Sequence, residues 1–277
     1  MKKVLCLILI FSVLLVSMTS CANKTERKYA KALNKAIDAE NFDEVRRIIS
    51  ECPEAVNTYP TLAPMWWQGE IRMATTYYPL AEACKIGNLE MVKLLVESGA
   101  DVNSLTPGWE VVTPIHTALL FGKGDWYDIV MYLIESGASI DYVGADEKNA
   151  MLIDIIESFR NESAEDEEKA DKLFAYTLEN CEETNVNWPR VLFEAVRWNR
   201  YNMTQMLLEG GYCDVNEFYS GKTPLMYAID RSNAGMVKYL LEKGADIQAV
   251  DEDGKKVLDY VAECDDEETK EIFNNMT

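Results

Sequence analysis

His116 is the one histidine of the chain, so any Ser-His-Asp or Cys-His relay would have to pass through it. The same count excludes a zinc site built from several histidines. Sulfur does not fill the gap. Cys52, Cys84, Cys181, Cys213 and Cys264 contain no Cys-x-x-Cys spacing, and mostly buried thiols are expected of them, with one disulfide as the alternative. Asp251-Glu252-Asp253-Gly254 looks like the start of a calcium loop, but such a loop needs glutamate at its twelfth position, and that place is Ala262. The same four residues suit a turn ahead of a helix. Glycine-rich phosphate loops and nucleophile elbows do not occur in the sequence. No catalytic residue, metal ligand or cofactor-binding residue is assigned, and no cofactor is expected.

The charge balance narrows the partners. Among 277 residues, 27 Lys+Arg face 47 Asp+Glu, a net charge of −20, while 48% of the chain is hydrophobic. That is enough apolar material for a core, so the acidity does not signal disorder. It argues against binding nucleic-acid phosphates and favours partners with a basic face. The acidic runs at 165–168 and 265–268 read as solvated faces, the second favourable at a helix N-terminus.

The N-terminus reads as an address. Met1-Lys2-Lys3 precedes an apolar run from Val4 to Val16 and then Ser17-Met18-Thr19-Ser20-Cys21, the pattern of a secretory signal peptide. The run falls short of the roughly 20 apolar residues that span a bilayer. Small residues directly before a cysteine resemble the lipobox of bacterial lipoproteins, with Met18 where that family usually has Leu. The resemblance implies that Cys21 is diacylated and becomes the mature N-terminus, and Ala22 after it points to the outer membrane of a Gram-negative cell. The expected division is a signal peptide at 1–20, a lipidated polar tether at 21–28 and one domain at 29–277. Removal of two lysines and no acids takes the charge to 25 − 47 = −22.

The domain repeats. The unit from Tyr78 to Asn103 returns as Thr113-Pro-Ile-His-Thr-Ala with Ile129 to Asp141, and again as Thr223-Pro-Leu-Met-Tyr-Ala with Met236 to Ile247. Proline suits the first helical turn, where its missing N–H would have no partner, and a preceding threonine can cap. Leu80, Ala83 and Cys84 make a narrow small-residue stripe at i, i+3 and i+4 that lets helices approach closely. Gly99, Gly137 and Gly244 stand where a left-handed C-cap is wanted. Weaker copies begin at Leu33, Met151, Leu192 and Leu258. Leu192, Leu225 and Leu258 recur every 33 residues. In the fourth copy an anchor at Met151 puts Asp154 in a small-residue slot, whereas a register one residue later puts Ile155 there.

These units resemble ankyrin repeats, with their Thr-Pro-Leu-His-x-Ala opening and Gly-Ala-Asp-Val-Asn close. The resemblance implies an all-α solenoid of about six helix-turn-helix repeats plus a C-terminal cap, with extended turns at 58–76 and 104–112. It implies a structural place for His116 and binding through the turn tips. Those inter-repeat segments carry Tyr59, Trp66, Trp67, Trp109, Tyr142, Trp188, Phe218 and Tyr219. Large aromatics are enriched at interface hot spots, so these eight are the candidate partner-binding residues, against the alternative that the rings pack on neighbouring loops. The expected role is recognition of another protein with a basic face. The membrane is reached through the lipid anchor only, and no nucleic acid is bound. The competing reading is an immunity or inhibitor protein acting on a toxin or an envelope enzyme.

Overall fold

The structure, a computed structural model, describes residues 24–60, 77–106, 113–121, 123–140, 150–158, 163–182 and 186–276. It divides into two compact units, Met1–Ser139 and Ile140–Thr277. The described residues are helical, with no strand among them and two isolated bridges, Tyr219 with Lys222 and Val250 with Lys256. No helix of the described residues is long and apolar enough to cross a membrane.

In the first unit the helices come in pairs: α1 (Lys24–Asp38) with α2 (Phe42–Glu51), α3 (Pro79–Ile86) with α4 (Leu89–Glu97), and α5 (Pro114–Phe121) with α6 (Trp126–Glu135). Helix α1 begins at Lys24, inside the stretch expected to be tether. Its alanines and leucine at helical spacing, Ala30, Leu33, Ala36 and Ile37, are buried, which is why the helix forms this early. The first helices pack as their small residues predict. Leu80, Ala83 and Cys84 are at most 1% exposed, and burial pushes the Cys84 thiol far above its ordinary range. Trp126 and Leu133 fill the space behind α6, each such side chain contributing about 1.5–3 kcal/mol.

The second unit repeats the plan with α7 (Ala150–Ser158) and α8 (Ala164–Asn180), α9 (Trp188–Arg197) and α10 (Tyr201–Glu209), α11 (Pro224–Asp230) and α12 (Ala234–Glu242), and α13 (Val257–Glu263) and α14 (Glu267–Asn274). The structure decides the fourth register. Leu152, Ile155 and Ile156 are fully buried while Asp154 is partly exposed, so the anchor is Leu152 and not Met151. At the end of this unit the stripe also moves. Val257, Tyr260 and Val261 face inward and Leu258 is 46% exposed, one residue off the 33-residue spacing. The acidic runs open α8 and α14, where Ser163 and Asp266 act as N-caps and carboxylates complement the helix dipole. Lys169 and Lys172 pair with Glu165 and Glu168 one turn away.

Helix ends follow local chemistry. Thr223 Oγ1 accepts from the Met226 N–H and Thr113 Oγ1 from the His116 N–H. Asn41, Asn88 and Asn233 cap the second helices α2, α4 and α12. Gly99, Gly137 and Gly244 follow the second helices α4, α6 and α12 at φ of 87°, 91° and 91°, the left-handed region that glycine enters without strain.

Candidate turn-tip binding edge

The turns after the second helices are built by one repeated device. Asn57 donates from Nδ2 to the Gly99 carbonyl at 2.8 Å and accepts at Oδ1 from the Asp101 N–H at 2.8 Å. Asn103 makes the same pair with Gly137 and Ser139, at 3.1 and 2.8 Å. In the second unit Asn216 does so with Gly244 and Asp246, at 3.2 and 2.7 Å. Each asparagine therefore ties its own turn to the helix end of the following repeat. Asn187 departs from the pattern: it caps its own helix α9 through the Arg190 N–H. Replacing Asn216 with alanine removes both bonds of one clamp. The expected loss is about 1 kcal/mol, read as a lower midpoint in denaturant melts, while the same change at Asn187 removes only a cap.

The eight aromatic candidates do not share one environment. Trp66, Trp67, Trp109 and Tyr142 lie outside the described residues, as does Cys21. Tyr59 is a correction to the sequence expectation. It is 6% exposed and its ring lies 5.3 Å from that of Tyr78, so it is core and not contact surface. Trp188 is the first residue of α9, half-buried, with its ring 4.9 Å from Tyr212. Tyr219 is half-buried against Phe193 at 4.9 Å. Phe218, beside it, is 50% exposed.

Other turns share that exposure at the same position. Phe218 stands two residues after the clamp Asn216. In the first unit Leu105 stands two after Asn103, and it is 45% exposed. In the last described turn Val250 stands two after Gln248, which occupies the asparagine place, and it is 43% exposed. The position carries an outward apolar residue in these three turns, and Tyr59, two after Asn57, is the exception, buried against Tyr78. The offset from Val-Asn alone does not separate Leu105 and Phe218 from the buried Tyr59.

Inward of the tips the second unit carries a connected row of rings and cations. Phe193 touches Tyr227 at 4.0 Å, edge to face. Lys222 lies 5.2 Å from the Tyr227 ring and 4.9 Å from Tyr260, and Lys255 lies 3.9 Å from Tyr260 on the same ring. Each lysine also has a carboxylate, Lys222 with Asp230 at 3.2 Å and Lys255 with Glu263 at 2.6 Å. Asp251 is consumed by its own turn. Its Oδ1 accepts from the N–H groups of Asp253 and Lys255, and its Oδ2 accepts from the Tyr260 hydroxyl at 2.6 Å. The Tyr260 bond, followed by the backbone donors, holds its carboxyl below the usual range. The turn reading of Asp251–Gly254 therefore holds.

His116 is buried in the first turn of α5. Cys52, Cys84, Cys181, Cys213 and Cys264 carry free thiols, with burial pushing Cys213 up to about 12. Two buried acids were not anticipated. Glu82 and Glu194 occupy the variable place of the Thr-Pro-Leu-His-x-Ala pattern and are 4% and 5% exposed. Each pairs with a cation three residues on, Lys85 at 2.5 Å and Arg197 at 3.2 Å. Trp198 adds an Nε1–H donor to Glu194 at 3.1 Å.

Comparison with known proteins agrees with this architecture. Residues 68–144 and 162–268 match the family of ankyrin repeats, described as three copies. An ankyrin repeat protein of fowlpox virus, FPV219, is 29% identical over 177 residues, 64% of this chain and 30% of that protein. Human protein phosphatase 1 regulatory subunit 27 is 46% identical over 68 residues, 24% of this chain and 40% of its own length. The chain thus spans well under half of either relative. Among solved structures, the human ASB11 ankyrin repeat domain superposes with a TM-score of 0.59 at 22% identity, covering 87% of this chain and 96% of that one. The ankyrin repeat protein EF0377 gives 0.55 at 22% identity, covering 70% and 96%. The fold is an all-α ankyrin-repeat solenoid, and repeats of this kind are ordinarily protein-interaction scaffolds without catalysis. By its repeat pattern, its clamped turns and the family match over most of its length, the chain belongs to the ankyrin-repeat family.

Proposed function

We propose that this protein is a lipid-anchored binder of the bacterial cell envelope that captures another protein with a basic face, and that it does so without catalysis, cofactor or metal. In this reading residues 1–20 are removed and Cys21 carries the acyl chains. Two or three chains hold a protein on a membrane stably, where one binds only marginally. The chain from Lys24 onward is the binding domain, facing the periplasm or the outer membrane in a Gram-negative cell. The observation that carries the binding role is the repeated exposure of Leu105, Phe218 and Val250 at one turn position, beside aromatic residues that are themselves packed. A large apolar side chain on a pinned turn buries area on contact with little ordering cost.

Two measurements test it. Growth with a labelled fatty acid labels the wild-type protein and leaves Cys21→Ser unlabelled and released from the membrane fraction; a labelled Cys21→Ser defeats the anchor. Crosslinking in cells followed by mass spectrometry yields a discrete partner whose capture falls severalfold in Phe218→Ser, with an unchanged melting temperature. Undiminished capture by Phe218→Ser and Leu105→Ser defeats the tip assignment.

A further inference from the structure

The charge of this chain is not spread evenly. Residues 140–277 hold 14 of the 27 Lys+Arg and 31 of the 47 Asp+Glu, a balance of −17, and residues 1–139 hold the remaining 13 and 16, a balance of −3. The boundary is that of the two compact units. The acidity that suggests a basic partner is thus concentrated in the second unit; the first, without Lys2 and Lys3 of the segment proposed to be removed, stands at 11 − 16 = −5.

The second unit also has two consecutive turn tips with an outward apolar residue, Phe218 and Val250. Both turns are pinned. Tyr219 and Lys222 exchange backbone hydrogen bonds at 3.1 and 3.2 Å around Ser220 and Gly221, which have φ of 50° and 79°. The Glu252 N–H donates to the Gly221 carbonyl at 3.1 Å, joining one tip to the next. The left-handed φ of 79° at Gly221 is what favours glycine in this turn, since a Cβ there would meet only the flexible Glu252 side chain. The same two turns carry Asp214, Glu217, Glu252 and Asp253, while Lys222 and Lys255 are already matched by Asp230 and Glu263. Lys256 is the exposed cation of the second tip. The edge is apolar at two points, acidic in the same two turns, and rigid.

We infer that the second unit is the docking unit, and that its occupant is a protein segment whose apolar side chains are flanked by lysine or arginine, the apolar groups seating on Phe218 and Val250 and the cations on the carboxylates of the same turns. This rests on the reading above that the turn tips dock the partner; it adds which unit docks and the chemistry of what it takes. Charge complementarity of this kind raises the rate of encounter and excludes acidic competitors, and the buried apolar contacts hold the complex.

The test pans a random peptide library against the full chain and measures the affinity of the enriched peptides by calorimetry. Enriched peptides carry Lys or Arg beside apolar residues, and lose at least about tenfold in affinity both for Phe218→Ser with Val250→Ser and for Glu217→Gln with Glu252→Gln and Asp253→Asn. Raising the salt weakens them. Circular dichroism melts of both variants match the wild type, and the single substitutions Phe218→Ser and Val250→Ser, each on an exposed side chain, serve where the combined variant melts early. Enriched peptides that are acidic, that ignore salt, or that respond only to Leu105→Ser overturn the inference and leave tip docking standing. Peptides indifferent to tip changes in both units overturn the reading beneath it, and failure to enrich any peptide overturns the inference.

Discussion

Gly87→Ala destabilises the first unit by about 2–4 kcal/mol, whereas Gly137→Ala, a glycine of the same backbone class, loses only about 1 kcal/mol. Both residues sit at positive φ, 79° and 91°, so both alanines bear the left-handed strain of about 1–2 kcal/mol. The difference lies in what the new methyl would meet. At Gly137 nothing stands within 4 Å. At Gly87 the methyl would fall inside the Lys123 carbonyl of the next repeat, a backbone atom that cannot swing away. The Gly87 carbonyl is meanwhile held by the Asp125 N–H at 3.0 Å, so relief of the clash breaks a hydrogen bond that joins α3 to α6. Urea melts of the two variants, with the wild type as reference, measure both losses. Equal losses would mean that the close approach at Gly87 carries no weight.

The contrast also shows which features of the chain were legible in its residues. Gly137 could be placed from the pattern, because a C-cap glycine is dictated by its own helix. The close fit at Gly87 could not, because Lys123 reaches it from 36 residues away and nothing in either local sequence announces the contact. The same division runs through the candidate edge. Prolines at helix starts, capping threonines and the Leu80–Cys84 stripe obey short-range rules and lie where those rules put them. Tyr59 departs from the expectation because ring type does not itself mark exposure: this tyrosine, two residues after Asn57, packs on Tyr78, beyond the 58–76 stretch. Leu105 and Val250 show the mirror case, exposed without being aromatic. The anchors at Met151 and Leu258 slipped by one residue in degenerate copies, where several adjacent apolar residues satisfy the stripe equally well.

Glu82 is the least legible feature and supports the sharpest prediction in pH. Its carboxylate is 4% exposed between α1 and α3, with Lys85 as its cation and Asp38 as a second carboxyl reaching it from α1. Burial, first, raises its pKa above the ordinary 4.5; the Lys85 bond opposes this and Asp38 reinforces it. A carboxyl whose folded pKa is raised binds its proton more tightly in the folded state. Its contribution to stability is therefore complete below the unfolded value and is lost as pH rises through the folded one. The first unit accordingly gains stability as pH falls from neutral toward 4.5, and Glu82→Gln flattens that slope. Lys85→Met removes the cation and leaves a buried carboxylate facing Asp38. Loss of one partner of a fully buried pair is worth about 3–5 kcal/mol; with the Lys85 side chain 37% exposed, about 1–3 kcal/mol at pH 7 is expected after screening. That loss shrinks on acidification, because the protonated Glu82 no longer needs a cation. Thermal melts of wild type, Lys85→Met and Glu82→Gln between neutral and mildly acidic pH separate the cases. A Lys85→Met deficit that stays constant across that range would show that the lysine acts through packing on the Tyr77 ring, 5.5 Å away, and not through charge.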